Sequence, residues 1–187
     1  MSRIVIDTET TGFYPERGDE LLQVAIIDAD TKQPLFNELI KPDLMESWPD
    51  AEAVNGISPE MVFDKPHISA YRDQIQRIIN ASDVIIGYNT FFDLNFLSKV
   101  ADVDIQPYTK IVDVMQLFAD KYGKWDEAKQ RRKWVKLIEA AYHYGYNWEI
   151  RAHDALSDVY ATLFVYENLN REVEQWQQIN PGKSIAI

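Results

Sequence analysis

Two short runs built almost wholly from β-branched residues, Ile4-Val5-Ile6 and Val84-Ile85-Ile86, constrain the fold of this chain most. A strand with water on one face alternates apolar and polar residues; a run without alternation suits a strand covered on both faces. Both runs end at polar, turn-forming positions: the first at Asp7-Thr8-Glu9, the second at Gly87-Tyr88-Asn89. The chain therefore needs a sheet with helices on each side, and 187 residues of 46% apolar composition are enough for one such α/β domain, residues 1–187.

Three strand-like runs come first, Arg3 to Thr8, Leu21 to Asp28 and Leu35 to Lys41. Short connections with turn residues, Gly12, Pro15 and Gly18 in the first and Thr31 to Pro34 in the second, suit antiparallel neighbours. Residues 42–66 read as irregular, with a helix start at Ser58-Pro59-Glu60. Helical spacing follows over Ile68 to Ile79, Phe91 to Val100 and Met115 to Tyr122, with a short strand over Ile111 to Val114. Lys133 to Tyr144 is amphipathic, and a long helix starts near Asp154 with Ala155, Leu156, Val159, Leu163 and Tyr166 on one face. A meander followed by strand–helix–strand crossovers predicts one mixed, five-stranded sheet flanked by helices.

In such sheets, sites form at the carboxyl ends of the central strands. Asp7 and Glu9 lie there, two residues apart and so on one strand face. Asp93 falls in the first turn of the helix after the second buried run. Asp154 suits the N-cap of the long helix, leaving His153 in the loop before it and Asp158 one turn inside. Taken singly, each group has an ordinary structural role: a solvated edge, a helix-dipole partner, a hydrogen-bonded loop histidine. Together, four carboxylates on one rim make a negative, oxygen-rich pocket that hard divalent cations such as Mg²⁺ or Mn²⁺ would relieve. His67 and His143 are read as structural.

The segments VIDTETTG, GYNTFFDLNFL and HDALSD resemble the three motifs of the DEDDh 3′–5′ exonucleases, the family that includes the proofreading subunit of bacterial replicative polymerase. The resemblance runs from about residue 3 to residue 170 and takes in AEAVNGISPEMV, where many relatives carry His in place of Asn55. It implies a ribonuclease-H-like fold and metal-dependent release of nucleoside 5′-monophosphates from a 3′ end. Asp7, Glu9, Asp93 and Asp158 would hold two ions, Mg²⁺ or Mn²⁺, with His153 as general base. Thr10, Thr11 and Gly12 would meet the terminal 3′-OH, Asn89 and Phe92 would hold or stack the terminal nucleotide, and Ile57 would pack on its base. DTETTG is closer to DNA-proofreading members, which makes a single-stranded DNA 3′ end the expected substrate and a DNA polymerase a candidate partner. Two alternatives stand beside this reading: an oligoribonuclease-like enzyme acting on short RNA, and a non-catalytic nucleic-acid-binding subunit of a replication complex.

Composition narrows the rest. Without cysteine there is no disulfide, thiol nucleophile or thiolate metal site. The start of the chain does not fit a secretory signal and no run approaches the ~20 apolar residues of a membrane span, so a cytoplasmic protein is expected. A formal charge of −11 opposes nonspecific adhesion to nucleic acid or anionic membrane. Seven of the 19 basic residues nonetheless fall within Lys121 to Lys136. That segment reads first as a solvated helix face, and second, through Trp125, as a guide for a nucleic-acid backbone.

Overall fold

The computed structural model describes residues 1–148 and 153–180. Strand β1 (Arg3–Thr10) is central, with β2 (Leu21–Asp28) antiparallel on one side and β3 (Pro34–Leu39) antiparallel beyond it. On the other side β1 pairs in parallel with β4 (Val84–Gly87), and β4 with β5 (Lys110–Asp113). The order β3-β2-β1-β4-β5 is the mixed five-stranded sheet expected from the sequence.

Both faces of β1 are buried, which is why its apolar run does not alternate. Ile4, Ile6 and Ile85 pack against Ile75 and Ile79 of α3 (Arg72–Asn80) and Leu94, Phe96 and Leu97 of α4 (Thr90–Val100). On the opposite face, Val5, Ile27 and Ile86 pack against Val114 and Phe118 of α5 (Val114–Tyr122), Ala140 and Ala141 of α6 (Leu137–His143), and Val159 and Leu163 of α7 (Ala155–Ile179). Each fully buried aliphatic side chain stabilises the fold by ~1.5–3 kcal/mol relative to exposure. His143, exposed on one side, sits in an aromatic cluster with Phe118, Tyr122 and Tyr144. Among the described residues no helix is long and apolar enough to cross a membrane.

The structure departs from the sequence reading in four places. The stretch taken as irregular contains α1 (Pro49–Asn55), which has Pro at its first position, Asp50 and Glu52 in its first turn, and Gly56 in the left-handed region (φ 75°) just past its end. These are ordinary helix boundaries, masked by the prolines around them; α2 (Pro59–Val62) then begins where expected. The helical spacing from Ile68 is split at Tyr71 into a 3₁₀ turn, Ile68–Ala70, and α3. Helix α6 starts only at Leu137. The basic segment is not a helix face: β6 (Trp125–Asp126) and β7 (Arg131–Arg132) form a separate two-stranded hairpin.

Candidate active site

At the carboxyl end of β1, Asp7 and Glu9 share the sheet face covered by α7, while Thr8 points to the face covered by α4. A register shift between Glu9 and Thr10 bends the end of this strand out of regular pairing with β2. Beyond it, a Cβ at Gly12 would meet the Asp19 carboxylate at 2.4 Å, so a side chain there would require Asp19 to move.

Asp93 reaches the same rim from the second element. Asn89 takes up the left-handed conformation (φ 67°), which asparagine tolerates, and turns the chain from β4 directly into α4. Its N–H donates to Asp113 Oδ1 at 3.0 Å, and Thr90 Oγ1 donates to the Val112 carbonyl at 2.8 Å, so α4 starts at a fixed point beside β5. Asp93, 2% exposed, accepts from Thr8 Oγ1 at 2.8 Å across the face of β1.

The third element is the start of α7. Asp154 caps it as the sequence predicts, accepting from Ser157 N and Oγ, both at 3.1 Å. His153 lies in the loop with φ 67°, and its N–H donates to Asp158 Oδ1 at 3.3 Å. A donor atom from each of Glu9, His153 and Asp158 lies within 4.8 Å of the others. His153, expected as a base, thus stands beside two of the four acids expected to bind metal. The mixed oxygen and imidazole set suits a hard or borderline divalent cation.

The four acids sit in one field. Burial first, then Asp93, Asp158 and Glu9, push the Asp7 carboxyl well above its ordinary range. Burial and the charges of Asp158 and Asp93 raise Glu9 to about 8, against a lowering hydrogen bond from Asn55. Burial raises Asp93 to about 7 although Thr8 stabilises its anion, and raises Asp158 to about 7 against the hydrogen bond from His153. Among the described residues no lysine or arginine forms an ion pair with any of the four. At neutral pH the cluster must therefore hold protons or take up cations.

Two residues help to build the site in ways that the sequence does not indicate: Gln23, which it does not single out, and Asn55, which stands out only as a departure from relatives. Gln23 lies opposite Glu9 on β2 and is only 6% exposed. Its Nε2 donates to Asp154 Oδ1 (3.1 Å) and Asn37 Oδ1 (3.0 Å), and its Oε1 accepts from Ala155 N (3.2 Å). A lone amide inside the apolar run Leu21 to Ile27 was the available signal. Asn55 is buried, donates to the Thr10 carbonyl at 3.3 Å and accepts from Ile57 N at 3.0 Å.

Thr10 Oγ1 donates to the Gly12 carbonyl at 2.6 Å, and Thr11 Oγ1 accepts from Glu20 N at 2.8 Å. Phe92 packs on Phe96 and, edge to face, on the exposed ring of Phe13. Ile57 belongs to a small core with Leu22, Trp48 and Val62. With Gln23, Asn55, His153 and Asp154 it also lines a cavity of about 500 Å³ that opens beside the acids.

Residues 4–166 match the family model of the RNase_T exonucleases. The chain belongs to that exonuclease family. A curated relative, the uncharacterized exonuclease CP81 of Escherichia phage 186, is 30% identical over 176 residues, which is 89% of this exonuclease and 87% of the phage protein. The DNA polymerase III subunit epsilon of Rickettsia felis is 29% identical over 124 residues, and the matched part is 53% of that protein. For the 3′-5′ exonuclease DinG of Staphylococcus epidermidis the match is 30% over 119 residues, 13% of its length. Two solved structures share the fold across nearly all of both chains. Exonuclease X in complex with 5′ overhanging duplex DNA has a TM-score of 0.67 at 24% identity, covering 91% of this chain and 92% of that one. The nuclease domain of 3′hExo, a DEDDh family member bound to rAMP, has a TM-score of 0.67 at 16% identity with the same coverage.

Proposed function

We propose that this exonuclease hydrolyses the terminal phosphodiester of single-stranded DNA from the 3′ end, releasing nucleoside 5′-monophosphates. The observation that carries the reading is the approach of Glu9, His153 and Asp158 to within 4.8 Å of one another, with Asp7 and Asp93 in the same electrostatic field and three of the carboxyls raised to about 7 or 8. Two divalent ions, Mg²⁺ or Mn²⁺, held by the four acids would supply Lewis-acid stabilisation at the phosphate and lower the pKa of a bound water.

The chain's own residues do the rest. His153 takes the proton from the attacking water, whose oxygen bonds to phosphorus as the bond to the 3′-oxygen of the penultimate nucleotide breaks. The hydrogen bond between the His153 N–H and Asp158 holds that loop against α7. Thr8 keeps the Asp93 carboxylate oriented from the far face of β1. Thr10, Thr11 and Gly12 receive the terminal 3′-OH at the end of the bent strand, and Asn89, Phe92 and Ile57 border the terminal nucleotide. DNA is favoured over RNA by the segment DTETTG and by the polymerase subunits among the relatives.

The test is side-by-side digestion of 5′-labelled single-stranded DNA, duplex DNA and short RNA with Mg²⁺. Single-stranded DNA should shorten fastest, one nucleotide at a time. Faster loss of RNA would transfer the activity to RNA, internal cleavage would overturn the exonucleolytic mode, and immediate release of the 5′-labelled mononucleotide would overturn the 3′–5′ polarity.

A further inference from the structure

The hairpin β6–β7 plays no part in the acid site, yet its chemistry is unlike the rest of the chain. Lys121 to Lys136 holds seven of the 19 basic residues and only two of the 30 acidic ones, a net charge of +5 in a chain of −11. Among the described residues, Lys121 alone of these seven forms an ion pair, with Glu172. Two of the five tryptophans lie here, Trp125 at 49% and Trp134 at 57% exposure. The Arg131 guanidinium stacks 3.9 Å over the Trp134 ring, and its Nη1 is buried without a hydrogen-bond acceptor. Trp125 sits across the ladder from Arg132.

Solvation alone explains surface lysines; it does not explain indole rings held in water beside them. Cations interleaved with exposed aromatic rings match the two needs of a nucleic-acid strand, phosphate neutralisation and a stacking platform for bases. The hairpin is also tied to the catalytic rim. Tyr88, which precedes Asn89 at the end of β4, donates from Oη to the Val135 carbonyl at 2.7 Å, so the chain leaving the hairpin is anchored one residue from the candidate nucleotide contact.

We propose that the hairpin Trp125–Arg132, with Lys124, Lys133 and Trp134, is a second binding site for single-stranded nucleic acid. It holds the sugar-phosphate backbone of the substrate strand upstream of the 3′ end in the acid site. The inference rests on the nuclease reading for its role in turnover but not for binding. Contact by the hairpin would also let an acidic protein engage a polyanion, the local +5 opposing the field of the remainder.

The test uses the full chain and a fluorescein-labelled oligothymidylate 20-mer. In EDTA, anisotropy should show binding whose log Kd rises with log salt. The triple substitution K124Q/K129Q/K133Q should weaken it tenfold or more and lower the slope by about 2, at roughly 0.7 for each single-strand phosphate contact. W134A should weaken it at least fivefold while the salt slope is kept. With Mg²⁺, the ratio of KM for the 20-mer to KM for a dinucleotide should rise tenfold in the triple variant. An unchanged Kd and an unchanged KM ratio would overturn the site, as would loss of binding to anionic phospholipid vesicles with none to DNA. If no substrate is hydrolysed yet the triple variant loses binding in EDTA, the nuclease reading falls and the binding site stands.

Discussion

Gln23 and Asp154 lie 131 residues apart and are joined by a 3.1 Å hydrogen bond from Nε2 to Oδ1, the same amide accepting from Ala155 N. One side chain of β2 thus ties the sheet to the first turn of the helix that carries Asp158 and follows His153. A buried amide satisfied on both sides specifies one position of that helix; replaced by an apolar group it leaves Asp154 and Ala155 N without these partners.

Gln23→Met keeps the volume and removes the tie. Leaving buried partners unsatisfied costs about 1–3 kcal/mol, which for a chain of this size lowers Tm by roughly 2–12 °C. The kcat should fall by about tenfold or more at temperatures where the variant is folded, with KM little changed, because the loss is in placement of His153 and Asp158. A lowered Tm with kcat intact would make Gln23 purely structural.

His153→Ala should reduce kcat by about 10²–10⁴-fold, the usual contribution of a positioned base. A loss under threefold would remove His153 from proton transfer.

Asp7→Asn should lower kcat by about 10³-fold or more, as expected when several kcal/mol of charge stabilisation is lost. The same variant should unfold at a Tm no lower than the parent in EDTA at pH 8, since a buried charge among like charges has been removed. Circular dichroism melts check the second outcome independently of activity.

The raised carboxyls give stability a definite pH dependence. Glu9 at about 8, and Asp93 and Asp158 at about 7, lie above the ordinary range they keep in the unfolded chain, so the folded state binds more protons between roughly pH 4 and 8. Stability from this cluster is therefore lost as pH rises through that window. Thermal melts in EDTA should give a lower Tm at pH 8.0 than at pH 5.5, and added Mg²⁺ or Mn²⁺ should raise Tm more at pH 8.0. Equal gains at both pH values would mean that the acids do not bind the ion.

Activity should vanish on exhaustive chelation and return with Mg²⁺ or Mn²⁺, followed by release of nucleotides from labelled DNA. Full activity in chelator would remove the acids from a metal-binding role.

Much of this site was legible along the chain because its signals are local. The unalternating run Ile4-Val5-Ile6 marks a strand covered on both faces, and Asp7 and Glu9 follow it directly. Asp93 in the first turn of α4, and Asp154 as the cap that sets His153 and Asp158 on either side, follow from helix-start chemistry within a few residues. The tertiary structure decided what depends on pairing between distant segments. Thr8 reaches Asp93, and Gln23 reaches Asp154 and Ala155, only because β1 lies between β2 and β4 and α7 packs over it. The hairpin Trp125–Arg132 escaped for a related reason. Two strands of two residues each are too short to show a period, and only the ladder between them distinguishes a basic hairpin from a solvated helix.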